Sequence, residues 1–182
     1  MISRFISGII LILLSPILIF IGLVIYIDDG FPIIFKQTRV GINNSHFKIF
    51  KFRTMKKDTP DLATHLVKDV NSHYIKVGKY LRKLSIDELP QLLNILKGDL
   101  KFIGPRPALY NQKNLIDMRT KKKISTLHPG VTGWAQVNGR DQLSTKDKVH
   151  YDLYYLNNKS LLLDIKIICK SFYKVILAKD VT

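Results

Sequence analysis

The amino-acid sequence predicts an α/β chain that is mainly helical with one small β-hairpin, and three observations predict it. A charge-free apolar run fills residues 5–27, two β-rich runs flank the turn-forming "GINNS" of residues 41–45, and large apolar residues recur at helical spacing after residues 88 and 160. The 182 residues suit one domain with its own core, since a typical domain is on the order of 100–200 residues.

The first element, "FISGIILILLSPILIFIGLVIYI", would form a helix about 35 Å long, enough to cross the apolar core of a bilayer. It does not match a cleaved signal peptide, whose apolar core is about 7–15 residues and gives way to small residues. Here Asp28 and Asp29 follow, so the segment is expected to be retained and the chain to be a membrane protein. Pro16 falls at the middle of the run. Its missing N–H and its ring weaken an ordinary helix by roughly 3 kcal/mol, so a bend is expected, with the Ser15 hydroxyl as a local partner for the freed carbonyl. Arg4 precedes the run and Lys36 and Arg39 follow it, so positive charge marks both ends. A spanning anchor and a re-entrant hairpin with both ends cytoplasmic satisfy these residues, the spanning anchor being the simpler.

Next, "PIIFKQTRVGINNSHFKIFKFRTM" reads as a hairpin with a longer loop. Its apolar residues change phase between Ile49 and Phe50, which predicts a bulge or an irregular strand end. Residues 58–73 are polar and weakly patterned, consistent with a loop or short helix. Leu89, Leu92, Leu93 and Leu96 predict a helix of about three turns stopped by Gly98. At the far end Leu161, Ile165, Ile168, Phe172 and Ile176 fall near one helical face and Lys166, Lys170 and Lys174 on another. Such a helix packs its apolar face on a protein core or lies at a membrane interface against anionic headgroups.

Charge narrows the partners. With 29 Lys plus Arg against 14 Asp plus Glu, the net charge of +15 attracts polyanions: nucleic acid, anionic lipid or phosphorylated small molecules. Cys169 is the only cysteine, which excludes an intramolecular disulfide and a cysteine-rich metal site and fits a reducing compartment. No P-loop, dinucleotide-binding glycine motif or close histidine spacing occurs.

Against that basic background, Asp87 and Glu88 stand side by side before Pro90. If Ser85 were the N-cap, Glu88 would complete a capping box, but Pro90 would then orphan the Ile86 carbonyl. A helix starting near Asp87 avoids this and sets both carboxylates at its positive end, favouring their ionised forms by roughly 0.3–1 kcal/mol each. An ionised aspartate can attack phosphorus. Because an anion is repelled by a phosphate, such a site needs Mg²⁺ held by carboxylate and phosphate oxygens, or arginines that grip the phosphate. Lys51, Arg53, Arg82, Arg106 and Arg140 are the candidate cations, with Arg106 held between two prolines in "GPRP". "HPGVTGWAQVNGR" concentrates glycines around the only Trp, which suits either a backbone–ligand approach or a structural turn.

The ordered set "RVG", "KFRTM", "IDELPQLLNILKGDLKFIGPRP", "HPGVTGWAQVNGR" and the spaced Asp, Tyr, Asn, Ser and Asp of residues 152–164 resembles the bacterial sugar transferase family, the monotopic polyprenyl-phosphate phosphoglycosyl transferases. The resemblance covers nearly the whole chain and is nearest to enzymes that initiate capsular polysaccharide. The likeness is to the minimal catalytic form of the family, so the extra N-terminal domains of larger members are not expected. It implies that Ser15 and Pro16 kink a re-entrant helix within a membrane-inserted segment, residues 1–30. A compact cytoplasmic catalytic domain with interfacial helices, residues 31–182, would then sit on the cytoplasmic face of a bacterial cell membrane. It further implies that Asp87 attacks the β-phosphorus of a UDP-sugar, expels UMP and passes the sugar phosphate to polyprenyl (undecaprenyl) phosphate. Glu88 would support Asp87 and, with it, bind Mg²⁺, while Lys51, Arg53, Arg82, Arg106 and Arg140 surround the phosphates. An N-acetylated amino sugar is the implied donor sugar, N-acetylfucosamine being the one suggested by the capsule likeness. Anionic lipids are further partners, nucleic acid is not, and a homo-oligomer stays open. Two rivals differ in kind: a non-catalytic anchored module that binds anionic lipid or nucleic acid, and a glycosyl transferase whose acids only hold metal.

Overall fold

In the computed structural model, which describes residues 1–59, 70–139 and 142–176, the apolar run is a single helix, α1 (Ile2–Asp29), that continues through Pro16. Ser15 Oγ donates to the Ile12 carbonyl at 2.7 Å, the carbonyl that Pro16 leaves without its N–H partner. This helix is not surrounded by open space on all sides. Ile10, Leu11 and Leu14 pack on one core cluster, and Leu18, Ile21 and Ile25 on another. Ser7, fully buried, donates to the Leu92 carbonyl at 2.7 Å. The opposite face, with Phe5, Ile12, Leu13, Ile19, Phe20 and Ile27, is exposed.

The hairpin forms as the sequence predicts: β1 (Ile34–Val40) pairs antiparallel with β2 (His46–Phe52) across a short 3₁₀ turn, Ile42–Asn44. The predicted bulge is absent. Register runs one-to-one from Ile34 opposite Phe52 to Val40 opposite His46. The apolar phase changes because both faces of the hairpin are covered, Ile49 packing with Leu92 and Ile95, and Phe52 with Ile25, Ile75 and Leu81. Of the polar segment 58–73, residues 60–69 lie outside the described residues, and Val70–His73 is a 3₁₀ turn.

Helix α2 (Gly78–Lys83) leads into a 3₁₀ turn, Ile86–Glu88, and then α3 (Gln91–Lys97). The predicted three-turn helix is thus divided. Ser85 makes no side-chain cap and has positive φ, so the capping box does not form. Pro90 precedes the first residue of α3, and the Ile86 carbonyl accepts from the Leu89 N–H at 3.1 Å instead. Gly98, with φ of 94°, ends the helix as expected.

Strands β3 (Lys101–Ile103) and β4 (Gly130–Thr132) pair in parallel, with α4 (Lys113–Lys121) between them in sequence. Three helices close the chain: α5 (Trp134–Val137), α6 (Thr145–Asn158) and α7 (Leu161–Ile176). In α7 the buried residues are Leu163 and Ile167, while Leu161, Leu162, Ile165, Ile168, Phe172 and Tyr173 are exposed. The lysine side instead meets protein, Lys170 and Lys166 lying 4.9 and 5.6 Å from the Trp134 ring centre.

Candidate active site

The two acids come from the tight turn between α2 and α3, and both are buried or nearly so. β2 lies alongside and supplies Lys51, whose Nζ donates to Glu88 Oε1 at 2.7 Å and stands 3.7 Å from Asp87 Oδ2. From the other side Arg106 Nη1 comes within 3.7 Å of the same Glu88 oxygen. One cation thus faces both carboxylates and a second faces Glu88.

The alignment of β2 with this turn depends on Asn94, a residue that sequence reasoning missed. Fully buried in α3, its amide accepts from the Phe50 N–H at 2.9 Å and donates to the Lys48 carbonyl at 2.7 Å. It therefore acts as a third strand for the edge of the hairpin next to Lys51. An Asn amid Leu93 and Ile95 in an apolar helix was its available signal.

Arg106 is held by its backbone. Gly104 N–H donates to the Thr132 carbonyl and Gly130 N–H to the Pro105 carbonyl. Here the glycines are needed, because a Cβ on Gly104 would lie 2.3 Å from the His128 carbonyl and one on Gly130 would lie 2.1 Å from Gly104 N. The glycines of the "HPGVTGW" stretch thus admit another stretch of backbone, the structural of its two readings. Arg119 Nη1 donates to the Arg106 carbonyl at 2.8 Å, while its Nε and Nη2 bind Asp152 Oδ2 at 3.0 and 2.6 Å. Burial pushes the Asp152 carboxyl up, and the guanidinium pulls against it. The spaced motif of residues 152–164 is accordingly a brace: Asp152 binds Arg119, and Tyr155 OH donates to Asp164 at 2.8 Å.

One predicted cation is spent within the protein itself. Arg53, 4 % exposed, donates through Nε to the Pro32 carbonyl, through Nη1 to Asp29 and the Met55 carbonyl, and through Nη2 to the carbonyls of Asp29 and Gly30. All five of its N–H donors are used within the protein, four of them on Asp29, Gly30 and Pro32 around the end of α1 and one on Met55, so Arg53 is a clamp between the chain leaving α1 and the end of the hairpin. Arg82 donates to Thr54 Oγ1 at 2.9 Å and lies over the Tyr74 ring, on the strip that continues β2. Arg140 lies outside the described residues.

Asp87 and Glu88 offer two hard oxygen donors on one turn, a set that suits Mg²⁺, which takes one or two carboxylates and completes its shell with water and phosphate. Among the described residues no third His, Cys, Asp or Glu joins them.

A sequence profile of the family described as bacterial sugar transferase matches residues 1–178. The chain is 42 % identical to an uncharacterized sugar transferase, EpsL, of Bacillus subtilis over 92 % of its own length and 81 % of that protein. It is 37 % identical to the undecaprenyl-phosphate glucose phosphotransferase of Komagataeibacter xylinus, over 96 % of this chain and 35 % of that one. It is 36 % identical to a UDP-N-acetylgalactosamine-undecaprenyl-phosphate N-acetylgalactosaminephosphotransferase of Aeromonas hydrophila, over 90 % of this chain and 40 % of that one. The chain thus spans less than half the length of these last two relatives. The profile, matched from end to end of α1 through α7, shows that this chain belongs to the bacterial sugar transferase family.

Proposed function

We propose that this chain transfers a sugar 1-phosphate from a UDP-sugar to polyprenyl phosphate through a covalent intermediate on Asp87. The observation that carries the reading is the buried acid pair faced by Lys51 and Arg106. Glu88, bound to Lys51 at 2.7 Å and approached by Arg106, suits orientation and charge balance. Asp87, 3.7 Å from the Lys51 ammonium, is the acid assigned to attack. Its oxygen bonds to the β-phosphorus as the bond from that phosphorus to the bridging oxygen breaks, and UMP departs with the electron pair. The phosphate oxygen of polyprenyl phosphate then attacks the same phosphorus, and the bond to Asp87 breaks to restore the carboxylate. Lys51 and Arg106 offset the charge of both anionic substrates and hold them against the acid. Mg²⁺ bound by Asp87 and Glu88 would supply further charge neutralisation on the diphosphate.

The membrane reading follows from α1. Its packed face runs from Ser7 to Ile25, a length of about 27 Å, against the same body that holds the acids. A helix standing upright through a bilayer would draw that charged body into the hydrocarbon, which disfavours a span; a re-entrant helix, with Ser15 and Pro16 as the site where it would bend in the membrane, is the reading adopted. The exposed apolar stripe of α7 supports an interfacial helix. The domain would then rest on the cytoplasmic face of the cell membrane, with anionic lipids as partners and an N-acetylated amino sugar on the donor. Such transfer would be the first membrane step of capsular or related polysaccharide assembly.

The test is intact-protein mass after incubation with a panel of UDP-sugars and no lipid acceptor. The reading expects UMP release and an added mass of one sugar phosphate, lost on adding polyprenyl phosphate and absent in Asp87→Asn. Turnover without an adduct would favour acids that only hold metal, and salt-sensitive binding without turnover would favour the non-catalytic basic module.

A further inference from the structure

We propose that Gln91 is a positioning residue for Asp87, its side-chain amide taking the free oxygen of the aspartyl phosphosugar; this rests on the covalent reading above. Gln91 is 3 % exposed, and its Nε2 is buried with no hydrogen-bond partner. A buried donor left unpaired has a desolvation cost with nothing to offset it, and in native proteins such a group calls for a reason. Its place in the fold supplies one. Bonds from Leu89 N–H to the Ile86 carbonyl, Leu92 N–H to Leu89 and Leu93 N–H to Pro90 curl the backbone in the helical sense on both sides of the boundary between the acidic turn and α3. Gln91 therefore follows one turn after both acids, at the spacing where helical side chains are neighbours.

Of the two acids, Asp87 is the one that changes during turnover. Glu88 keeps Lys51 at 2.7 Å, whereas Asp87 stands a full ångström farther from the same ammonium. Once one Asp87 oxygen bonds to phosphorus, the other becomes an uncharged acyl carbonyl and loses its attraction to Lys51. A neutral amide N–H is suited to that carbonyl, because it binds without bringing another charge into a buried site. In the second half of the reaction the phosphorus–oxygen bond to Asp87 breaks and the electron pair returns to the carboxylate. A donor already seated on the other oxygen stabilises that charge as it develops. Gln91 should therefore speed discharge of the intermediate more than its formation.

The experiment compares the parent chain with Gln91→Met, which keeps the length and removes the donor, and with Gln91→Glu, which replaces the donor amide by a carboxylate. Each full-length protein is purified in detergent. The UDP-N-acetylhexosamine giving most UMP release is used to form the adduct, and its loss on adding polyprenyl phosphate is timed by intact mass. The expected result for Gln91→Met is an unfolding temperature equal to or above the parent's, adduct formation within about twofold, and discharge slowed by roughly tenfold to hundredfold. Gln91→Glu should also slow discharge. Parent-like discharge in both variants would overturn the proposal, and so would an equal loss in both half-reactions with a lowered unfolding temperature, which marks a structural role. Absence of any adduct in the parent chain would overturn the covalent reading itself and this role with it.

Discussion

Arginine carries five N–H donors in a fixed fork and no acceptor, so its role is decided by where those donors point. Arg53 points all of them at carbonyls and Asp29, whereas Arg106 has its backbone held by Arg119 and its guanidinium near Glu88. The two should therefore respond differently to the same change. Arg53→Lys is expected to cost about 2–4 kcal/mol of stability by leaving buried carbonyls unpaired, with little effect on the KM of surviving enzyme. Arg106→Lys is expected to leave the unfolding temperature unchanged and lower kcat/KM by on the order of tenfold to hundredfold. Thermal unfolding and UMP release measured on both variants decide between clamp and substrate contact. In the sequence only the flanking prolines set Arg106 apart from Arg53, and they do not say what either guanidinium meets. The acid pair and Lys51 were legible there as chemistry; Asn94, Ser7 and Gln91 were not, because a polar letter within an apolar helix does not say which neighbour it meets.

At the scale of elements, patterns of burial were legible and their partners were not. The hairpin, the turn at Gly98 and the two long helices follow directly from spacing and turn residues. The expected bulge failed because alternation reports a strand's buried faces only when one side is wet, and here both sides are covered. In α7 the periodicity gave an apolar face and a lysine face, but a hydrophobic stripe is the same whether it meets protein or lipid. Lys170 sits against Trp134, and the apolar stripe is left outward. Cys169, exposed on that helix and alone in the chain, offers a direct probe. A fluorophore attached there should be quenched more by spin-labelled lipid whose label lies near the headgroups than by label at the chain ends. Quenching by aqueous iodide alone would place α7 in water.

For the whole molecule, the net charge of +15, the docked α1 and the acid pair make one arrangement. On the proposed function, a basic surface would gather two anionic substrates, one of them confined to the headgroup level, and a helix packed along the catalytic body would fix how that body meets the membrane. Hydropathy identified α1 but not its docking, since isoleucine and leucine are equally at home in lipid and on a protein core. The central claim is that Asp87 itself carries the transferred phosphosugar. The most direct measurement is to trap the enzyme with UDP-sugar in the absence of acceptor, reduce it with borohydride, and sequence the peptides by mass. An acyl phosphate on aspartate is reduced to the alcohol, so homoserine at position 87 is predicted, and none in untreated protein. Reduced product at Glu88 or at any other acid, with position 87 unchanged, would contradict the account.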